Sequence, residues 1–154
     1  MSITFITGAS SGLGWGLAPL FAADGDTVII AARRLEPLQA LAEQIAAAGG
    51  KAVPIALDVT DREAVHAAVE RVNDEHGPID LLIANAGIGI PTPADDFSAE
   101  VVDKVFQVNV MGLTYCVEAV LPSMMARRSG HIVGVASLAG FRGLPGNAAY
   151  VGSK

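Results

Sequence analysis

Tyr150 and Lys154 stand four residues apart in a chain of 154 residues. On a helix this spacing places two side chains on one face. A phenol ordinarily loses its proton near pH ~10, and a neighbouring ammonium favours the phenolate, which suits a tyrosine to acid–base work near neutral pH. Taken alone, Tyr-x-x-x-Lys is also a common chance spacing, so its interpretation depends on the other residues of the chain.

A glycine-rich loop at residues 7–14 has the spacing G-x-x-x-G-x-G, not G-x-G-x-x-G. Glycines allow a tight turn and close backbone approach, and the N-terminus of a following helix offers amides and partial positive charge to a pyrophosphate. The alternative is an ordinary glycine-rich turn. We favour phosphate binding because the loop lies between a predicted strand and a predicted helix. The predicted cofactor contacts here are Gly8, Ser10, Ser11, Gly12, Leu13 and Gly14.

Arg33 and Arg34 follow the second predicted strand, which ends at Ala32. Dinucleotide folds that prefer NAD usually place an acidic residue at this strand end to bind the ribose 2′-hydroxyl. Guanidinium groups instead suit a 2′-phosphate through charge-assisted hydrogen bonds, so we predict NADP(H) in preference to NAD(H). The alternative is that both arginines are solvated surface charges, with Glu36 near enough to pair with one of them.

The elements that must position these residues alternate along the chain. Apolar, β-branched-rich runs predict five buried strands at 3–7, 27–32, 52–57, 81–84 and 131–136. Helices are predicted at about 12–23, 36–48, 62–76 and 98–126, with Asp61 and Ser98 as N-caps. This α/β pattern predicts a Rossmann-like, doubly wound parallel sheet in a single NAD(P)-binding domain, residues 1–154. Such sheets bind ligands at the carboxyl ends of their strands.

Composition excludes several other classes of protein. A content of 51% hydrophobic and 17% charged residues excludes disorder, and a net charge of −6 argues against nucleic-acid and membrane partners. Cys116 is the only cysteine, and no paired Cys/His spacing suits zinc. We therefore expect no metal site and a cytoplasmic location. Residues 2–23 carry no charge, but their glycines and missing basic segment argue against an export signal.

Further motifs occur in a fixed order along the chain. Asp58-Val59 follows the third strand, Asn85-Ala86-Gly87 the fourth and Ser137 the fifth, while Asn109 lies in the long helix. Together with the loop at 7–14 and Tyr150 to Lys154, they make the chain resemble the classical short-chain dehydrogenase/reductase family over essentially its whole length. One departure is Ala84, where the family often has a second asparagine.

The resemblance implies an oxidoreductase that transfers a hydride between NADP(H) and a carbonyl compound or secondary alcohol. It implies that Tyr150 donates the proton to the carbonyl oxygen and that Ser137 holds that oxygen. Lys154 would bind the nicotinamide ribose, and Asn109 would anchor a water that relays protons to Lys154.

The same resemblance implies further cofactor contacts at the ends of the third and fourth strands. Asp58 would bind the adenine, with Val59 beside it. Asn85, Ala86 and Gly87 would line the cofactor near the adenosine ribose and also steady the central sheet.

The family continues beyond the Tyr-x-x-x-Lys motif with two more strands and a segment that closes over the substrate. We therefore expect a C-terminally incomplete domain, truncated after the fifth strand, with an open apolar edge and a frayed helix around Tyr150. A longer form is expected to be a homo-oligomer. The alternative function is a non-catalytic module that binds a dinucleotide or a partner. The apolar segments 88–97 and 138–147 favour a neutral or apolar carbonyl substrate.

Overall fold

A computed structural model describes residues 2–154. Its centre is one parallel sheet of five strands in the spatial order β3-β2-β1-β4-β5. These strands are β1 (Ile3–Thr7), β2 (Thr27–Ala32), β3 (Lys51–Ala56), β4 (Leu81–Ala84) and β5 (His131–Gly134). The predicted Rossmann-like α/β fold is confirmed. The strand order reverses direction between β1 and β4, which is where such sheets bind ligands.

Six α-helices connect or follow these strands. They are α1 (Gly12–Ala23), α2 (Leu35–Ala47), α3 (Arg62–His76), α4 (Ala99–Phe106), α5 (Gly112–Arg127) and α6 (Ala148–Ser153). A π-helical turn at Gln107–Met111 joins α4 to α5, so the predicted long helix is continuous but contains a bulge. Single 3₁₀ turns occur at Ala94–Asp96 and Leu138–Gly140. The predicted N-caps are confirmed, because Asp61 accepts a hydrogen bond from Ala64 N and Ser98 accepts one from Val101 N.

Two strand boundaries differ from the sequence prediction. Strand β3 begins and ends one residue earlier than expected, and β5 ends at Gly134, two residues before its predicted end. Val135 N still donates to Ala84 O, but the Val135 carbonyl accepts a hydrogen bond from Lys154 Nζ at 2.8 Å. The backbone after β5 is therefore held by the Lys154 side chain as well as by the hydrogen bond to β4.

The core has two halves, one on each face of the sheet. Successive strand residues point to opposite faces, so Ile3 and Phe5 of β1 pack with α3 and α5, whereas Ile6 packs with α1 and α2. All three side chains are buried. Both faces of the sheet are thus covered, which explains why the strands are apolar runs and not alternating patterns. The carboxyl ends of the strands then carry the polar residues of the cleft described below.

One stretch of the described chain, Ala99–Arg127, is long and apolar enough to cross a membrane, with a mean hydropathy of 1.3. The core helix of a soluble protein passes the same test. Here 28% of the most apolar 18-residue window of this stretch is buried within the protein.

Candidate active site

A cleft of about 1010 Å³ opens at the carboxyl ends of the strands. Its size matches the upper range of small-molecule and cofactor sites. Fifteen of the seventeen predicted site residues line it: Gly8, Ser10, Ser11, Gly12, Leu13, Arg33, Arg34, Asp58, Val59, Asn85, Ala86, Gly87, Ser137, Tyr150 and Lys154. Gly14 and Asn109 are buried behind its wall. The structure therefore brings together segments that are up to 146 residues apart in the sequence.

The floor of the cleft depends on close packing between the glycine loop and the end of β4. Gly8 has a φ of +68°, and a Cβ there would lie 2.8 Å from the Ala86 Cα. A Cβ on Gly14 would lie 2.8 Å from both Asn85 Nδ2 and Gly8 O. Such distances are too short for carbon, so both positions require glycine. Gly14 thus supports the loop from below and does not face the cleft.

Asn85 and Thr7 form the hydrogen bonds that hold this packing. Asn85 Nδ2 donates to Thr7 O at 2.9 Å and to Gly8 O at 3.2 Å. The buried Thr7 Oγ1 accepts from the N–H groups of Asn85 and Ala86, each at 3.1 Å. The expectation that Asn85 steadies the centre of the sheet agrees with these contacts. The part played by the Thr7 hydroxyl was not anticipated from the sequence.

The N-terminus of α1 opens into the cleft with its first-turn amides uncapped. Ser11 is the N-cap residue, and its side chain makes no capping hydrogen bond. The first turn contains no acidic residue. A helix N-terminus of this kind carries partial positive charge and unsatisfied N–H donors, which suit a phosphate group.

Arg33, Arg34 and Asp58 line the end of the cleft beside β2 and β3. Burial alone would raise the pKa of Asp58, but hydrogen bonds from Thr60 N–H and Thr60 Oγ1, with the charge of Arg33, lower this pKa below its ordinary value. Within residues 2–154 the ion pairs shorter than 4 Å do not include Arg33 or Arg34. The pairing with Glu36 considered from the sequence is therefore not seen.

Ser137, Tyr150 and Lys154 line the cleft near the ends of β4 and β5. Ser137 Oγ accepts a hydrogen bond from Ala139 N at 3.2 Å, which leaves the hydroxyl hydrogen available to donate to an oxygen in the cleft. Tyr150 lies in α6, and Lys154 follows the last residue of that helix. The Lys154 ammonium is oriented by its hydrogen bond to Val135 O. The cleft thus contains two hydroxyl groups and one cation at this end.

Asn109 is buried in the π-helical turn and makes three hydrogen bonds. Its Oδ1 accepts from Ile88 N at 2.8 Å, and its Nδ2 donates to Ile88 O at 2.9 Å and to Ser153 Oγ at 2.8 Å. Ser153 Oγ in turn donates to Tyr150 O at 2.9 Å. The side chain of Asn109 therefore connects the segment after β4 to the helix of Tyr150.

Sequence reasoning missed three residues that hold this region together. Thr92 Oγ1 accepts a hydrogen bond from Ala149 N in the first turn of α6, and Ser153, the last residue of α6, donates to Tyr150 O. Val135 supplies the carbonyl that orients Lys154. Helix α6 runs without a break from Ala148 to Ser153, with these contacts at both of its ends, and its fraying stays a prediction. Ser153 lies inside the Tyr-x-x-x-Lys motif, but nothing in the sequence pattern indicates the role of Thr92, which stands in a loop.

The described residues contain neither a candidate metal site nor an exposed cysteine. No group of three or more His, Cys, Asp or Glu side chains within residues 2–154 could hold a metal ion. Cys116 is buried in α5, and burial raises the pKa of its thiol to about 12. Cys116 therefore belongs to the hydrophobic core.

Comparisons with known proteins agree with this geometry. Residues 2–154 match the sequence family described as short chain dehydrogenase. An uncharacterized oxidoreductase of Myxococcus xanthus is 48% identical over 97% of this chain and 59% of its own length. The 3-oxoacyl-(acyl-carrier-protein) reductase of Thermotoga maritima is 38% identical over 99% of this chain and 62% of its own length. The chain thus spans about 60% of the length of these relatives.

Solved structures show the same fold. A short-chain type dehydrogenase/reductase from Mycobacterium marinum has a TM-score of 0.94 at 33% identity, over 99% of this chain and 63% of that one. An alcohol dehydrogenase from Thermococcus sibiricus, complexed with 5-hydroxy-NADP, has a TM-score of 0.91 at 28% identity, over 99% of this chain and 65% of that one.

Proposed function

The chain belongs to the short-chain dehydrogenase family, and from that premise we propose that it is the catalytic part of an NADP(H)-dependent oxidoreductase acting on a carbonyl compound or secondary alcohol. One observation carries the proposal. A single cleft contains the glycine loop, the arginine pair and the Ser137, Tyr150 and Lys154 side chains. A module that only binds a dinucleotide has no evident need for the last three together.

The residues of the cleft fit a nicotinamide dinucleotide. The uncapped α1 N-terminus, with Gly8 and Gly12 in the left-handed conformation, would hold the pyrophosphate. Asp58 stays ionised at neutral pH and would accept a hydrogen bond from the adenine. Arg33 and Arg34 make no ion pair shorter than 4 Å among the described residues and would bind a ribose 2′-phosphate. The similar alcohol dehydrogenase from Thermococcus sibiricus is complexed with 5-hydroxy-NADP, which supports this choice.

The catalytic side chains have complementary roles in carbonyl reduction. When bound, the nicotinamide supplies the hydride. Ser137 donates a hydrogen bond to the carbonyl oxygen, since its hydroxyl oxygen accepts from Ala139 N–H and its hydroxyl hydrogen is left to donate. Tyr150 gives that oxygen a proton as negative charge develops on it. The ammonium of Lys154 stabilises the phenolate that remains and binds the nicotinamide ribose. In the oxidation of an alcohol the same groups act in reverse.

The substrate is proposed to be neutral and largely apolar. Apart from Lys154, the charged residues that line the cleft are Arg33, Arg34 and Asp58, all assigned to the adenosine end. Near Tyr150 the lining consists of small or apolar residues such as Ile88, Gly89 and Ala136. The cation at this end among the described residues is Lys154, which is assigned to the tyrosine and the nicotinamide ribose, so a carboxylate or phosphate on the substrate would find no second cation there.

Turnover tests the function. The full protein is incubated with NADPH and, separately, with ethyl acetoacetate, acetophenone and cyclohexanone, and loss of absorbance at 340 nm is followed with identification of the alcohol product. We expect stoichiometric alcohol formation with at least one of these neutral ketones. Binding of NADPH without turnover of any ketone, or of the corresponding alcohols with NADP⁺, would instead support the non-catalytic alternative.

A separate titration tests the cofactor preference. Nicotinamide fluorescence of NADPH and NADH is followed on addition of the full protein, its Arg33→Ala/Arg34→Ala variant and a control variant, Arg71→Ala, on the outer side of α3. We expect NADPH to bind at least about tenfold more tightly than NADH, and the double variant to lose that ratio. A parent protein that prefers NADH would overturn the cofactor assignment and leave the reaction class intact.

A further inference from the structure

We propose that Thr92 is a positioning residue that caps the catalytic helix α6 from the segment after β4 and so fixes the place of Tyr150. This inference rests on the proposed function, in which Tyr150 transfers the proton. It assigns a role to a threonine that lies outside every motif of the sequence and does not line the cleft.

Thr92 makes two hydrogen bonds to the segment that begins α6. Its Oγ1 accepts from Ala149 N at 3.2 Å, and its own N–H donates to Gly146 O at 2.7 Å. Thr92 and Asn147 are also paired as an isolated parallel bridge. Thr92 is only 4% exposed and Ala149 only 2% exposed, so water does not compete for these bonds.

The helix needs this distant cap because it has no local one. The first N–H groups of any helix lack intrahelical acceptors, and a side chain at the N-cap position usually supplies one. The N-cap residue here is Asn147, whose side chain makes no capping bond and instead donates through Nδ2 to Pro145 O at 3.0 Å. The Thr92 hydroxyl takes over this function from 57 residues away in the sequence.

The cap acts on Tyr150 because the same segment also faces its ring. Ala149, the capped residue, directly precedes Tyr150. A Cβ at Gly89 would lie 3.4 Å from Tyr150 Cδ2, in ordinary van der Waals contact, so Gly89 faces the phenol ring. Asn109 fixes the start of this segment through two bonds to Ile88. The segment 88–92 therefore fixes the position of both the backbone and the ring of Tyr150.

A matched set of variants of the full protein tests the proposal. Thr92→Val keeps the side-chain volume and removes the acceptor, and Thr92→Ser restores the hydroxyl. Thr114→Val removes a hydroxyl on an exposed face of α5, where Thr114 Oγ1 donates to Val110 O, and serves as the control. Two quantities are measured for each: hydrogen exchange of the Ala149 amide, and kcat and KM for NADPH-dependent reduction of a neutral ketone.

In Thr92→Val we expect Ala149 exchange to accelerate roughly fivefold or more, and kcat to fall about ten- to a hundredfold with the KM for NADPH within about twofold of the parent. Thr92→Ser should recover both quantities, and Thr114→Val should change neither. A general loss of stability would instead raise exchange throughout the sheet and would not be repaired selectively by serine.

The two proposals fail in distinguishable ways. If the parent reduces no ketone, the proposed function fails, and the exchange of the Ala149 amide still decides whether Thr92 caps α6. If the parent is active and Thr92→Val keeps the parental kcat, the positioning role is wrong. Unchanged exchange of Ala149 in Thr92→Val would show that the hydroxyl is not the cap at all.

Discussion

Gly14 and Gly16 lie two residues apart in α1, and alanine at these positions should change stability in opposite directions. A Cβ on Gly16, which is exposed, meets no atom within 4 Å. A Cβ on Gly14, which is buried, would lie 2.8 Å from Asn85 Nδ2, 2.8 Å from Gly8 O and 3.0 Å from Ala9 Cα. Two of these three contacts are backbone atoms that cannot rotate away.

The magnitudes follow from these surroundings. Alanine is favoured over glycine inside a helix by about 1 kcal/mol, so Gly16→Ala should stabilise the protein by about that amount. Gly14→Ala gains the same stabilisation from helix propensity, but overpacking of the new methyl group costs about 1–3 kcal/mol. Displacement of the Asn85 amide also weakens its bonds to Thr7 O and Gly8 O, each worth about 1 kcal/mol. The expected result for Gly14→Ala is a net loss of about 1–4 kcal/mol.

Urea unfolding of the full protein, followed by circular dichroism, measures both free energies of unfolding. The two variants are each other's control, because helix propensity contributes equally to them. Gly14→Ala should also bind NADPH more weakly than Gly16→Ala, since the glycine loop must shift to admit the methyl group. If Gly14→Ala stabilises the protein as much as Gly16→Ala does, the close packing of the loop on Asn85 is wrong.

Three further predictions concern other residues. Thr7→Val removes the acceptor of the part-buried Ala86 N–H and one of the two acceptors of the Asn85 N–H, whose other acceptor is Ile83 O. It should lower the free energy of unfolding by about 1–3 kcal/mol, whereas Thr7→Ser should lower it by less than about half as much. Hydrogen bonds from Arg62 and, to a smaller extent, from His66 lower the pKa of Glu118 from its ordinary 4.5 to about 2. The stability that Glu118 contributes is therefore present above about pH 5 and is lost as the pH falls toward 2. Glu118→Gln should flatten the dependence of the free energy of unfolding on pH in that range, and an unchanged dependence would contradict the pairing. The Cys116 thiol should react with a disulfide reagent at pH 8 only as fast as the protein opens, so its rate should rise with urea, and rapid labelling of the native protein would contradict its burial.

The sheet and its helices were predictable because their signals are local. Strands β1, β2 and β4 begin and end as predicted, and so do α1 and α3, since apolar runs, glycine and capping residues mark their boundaries in the sequence. The bulge at Gln107–Met111 was not predictable, because its turn is stabilised by contacts of Asn109 with residues far away in the chain. Phe141, which lies in the apolar segment 138–147, is 89% exposed in the structure. Hydrophobicity alone does not indicate whether a neighbour is present to cover a side chain.

In the candidate site, the residues that line the cleft were predictable from the sequence, whereas the residues that support them were not. Residues that face the cleft, such as Tyr150 and Arg33, were found because they stand at strand ends or inside a recognisable motif. Thr92 and Thr7 were missed in their supporting roles, because a hydroxyl that accepts a bond from 57 or 78 residues away leaves no pattern in the sequence. The cytoplasmic location, the homo-oligomer and the absence of nucleic-acid and membrane partners remain predictions.

The most direct test of the proposed reaction uses the two tyrosines of this chain, Tyr115 and Tyr150. Tyr150→Phe and Tyr115→Phe each remove one hydroxyl from the full protein, and NADPH oxidation with a ketone that the parent reduces is compared with NADPH binding. We predict that Tyr150→Phe lowers kcat by at least about a hundredfold while NADPH still binds, and that Tyr115→Phe retains the parental rate. A Tyr150→Phe protein that reduces the ketone as fast as the parent would contradict the assignment of Tyr150 as the proton donor.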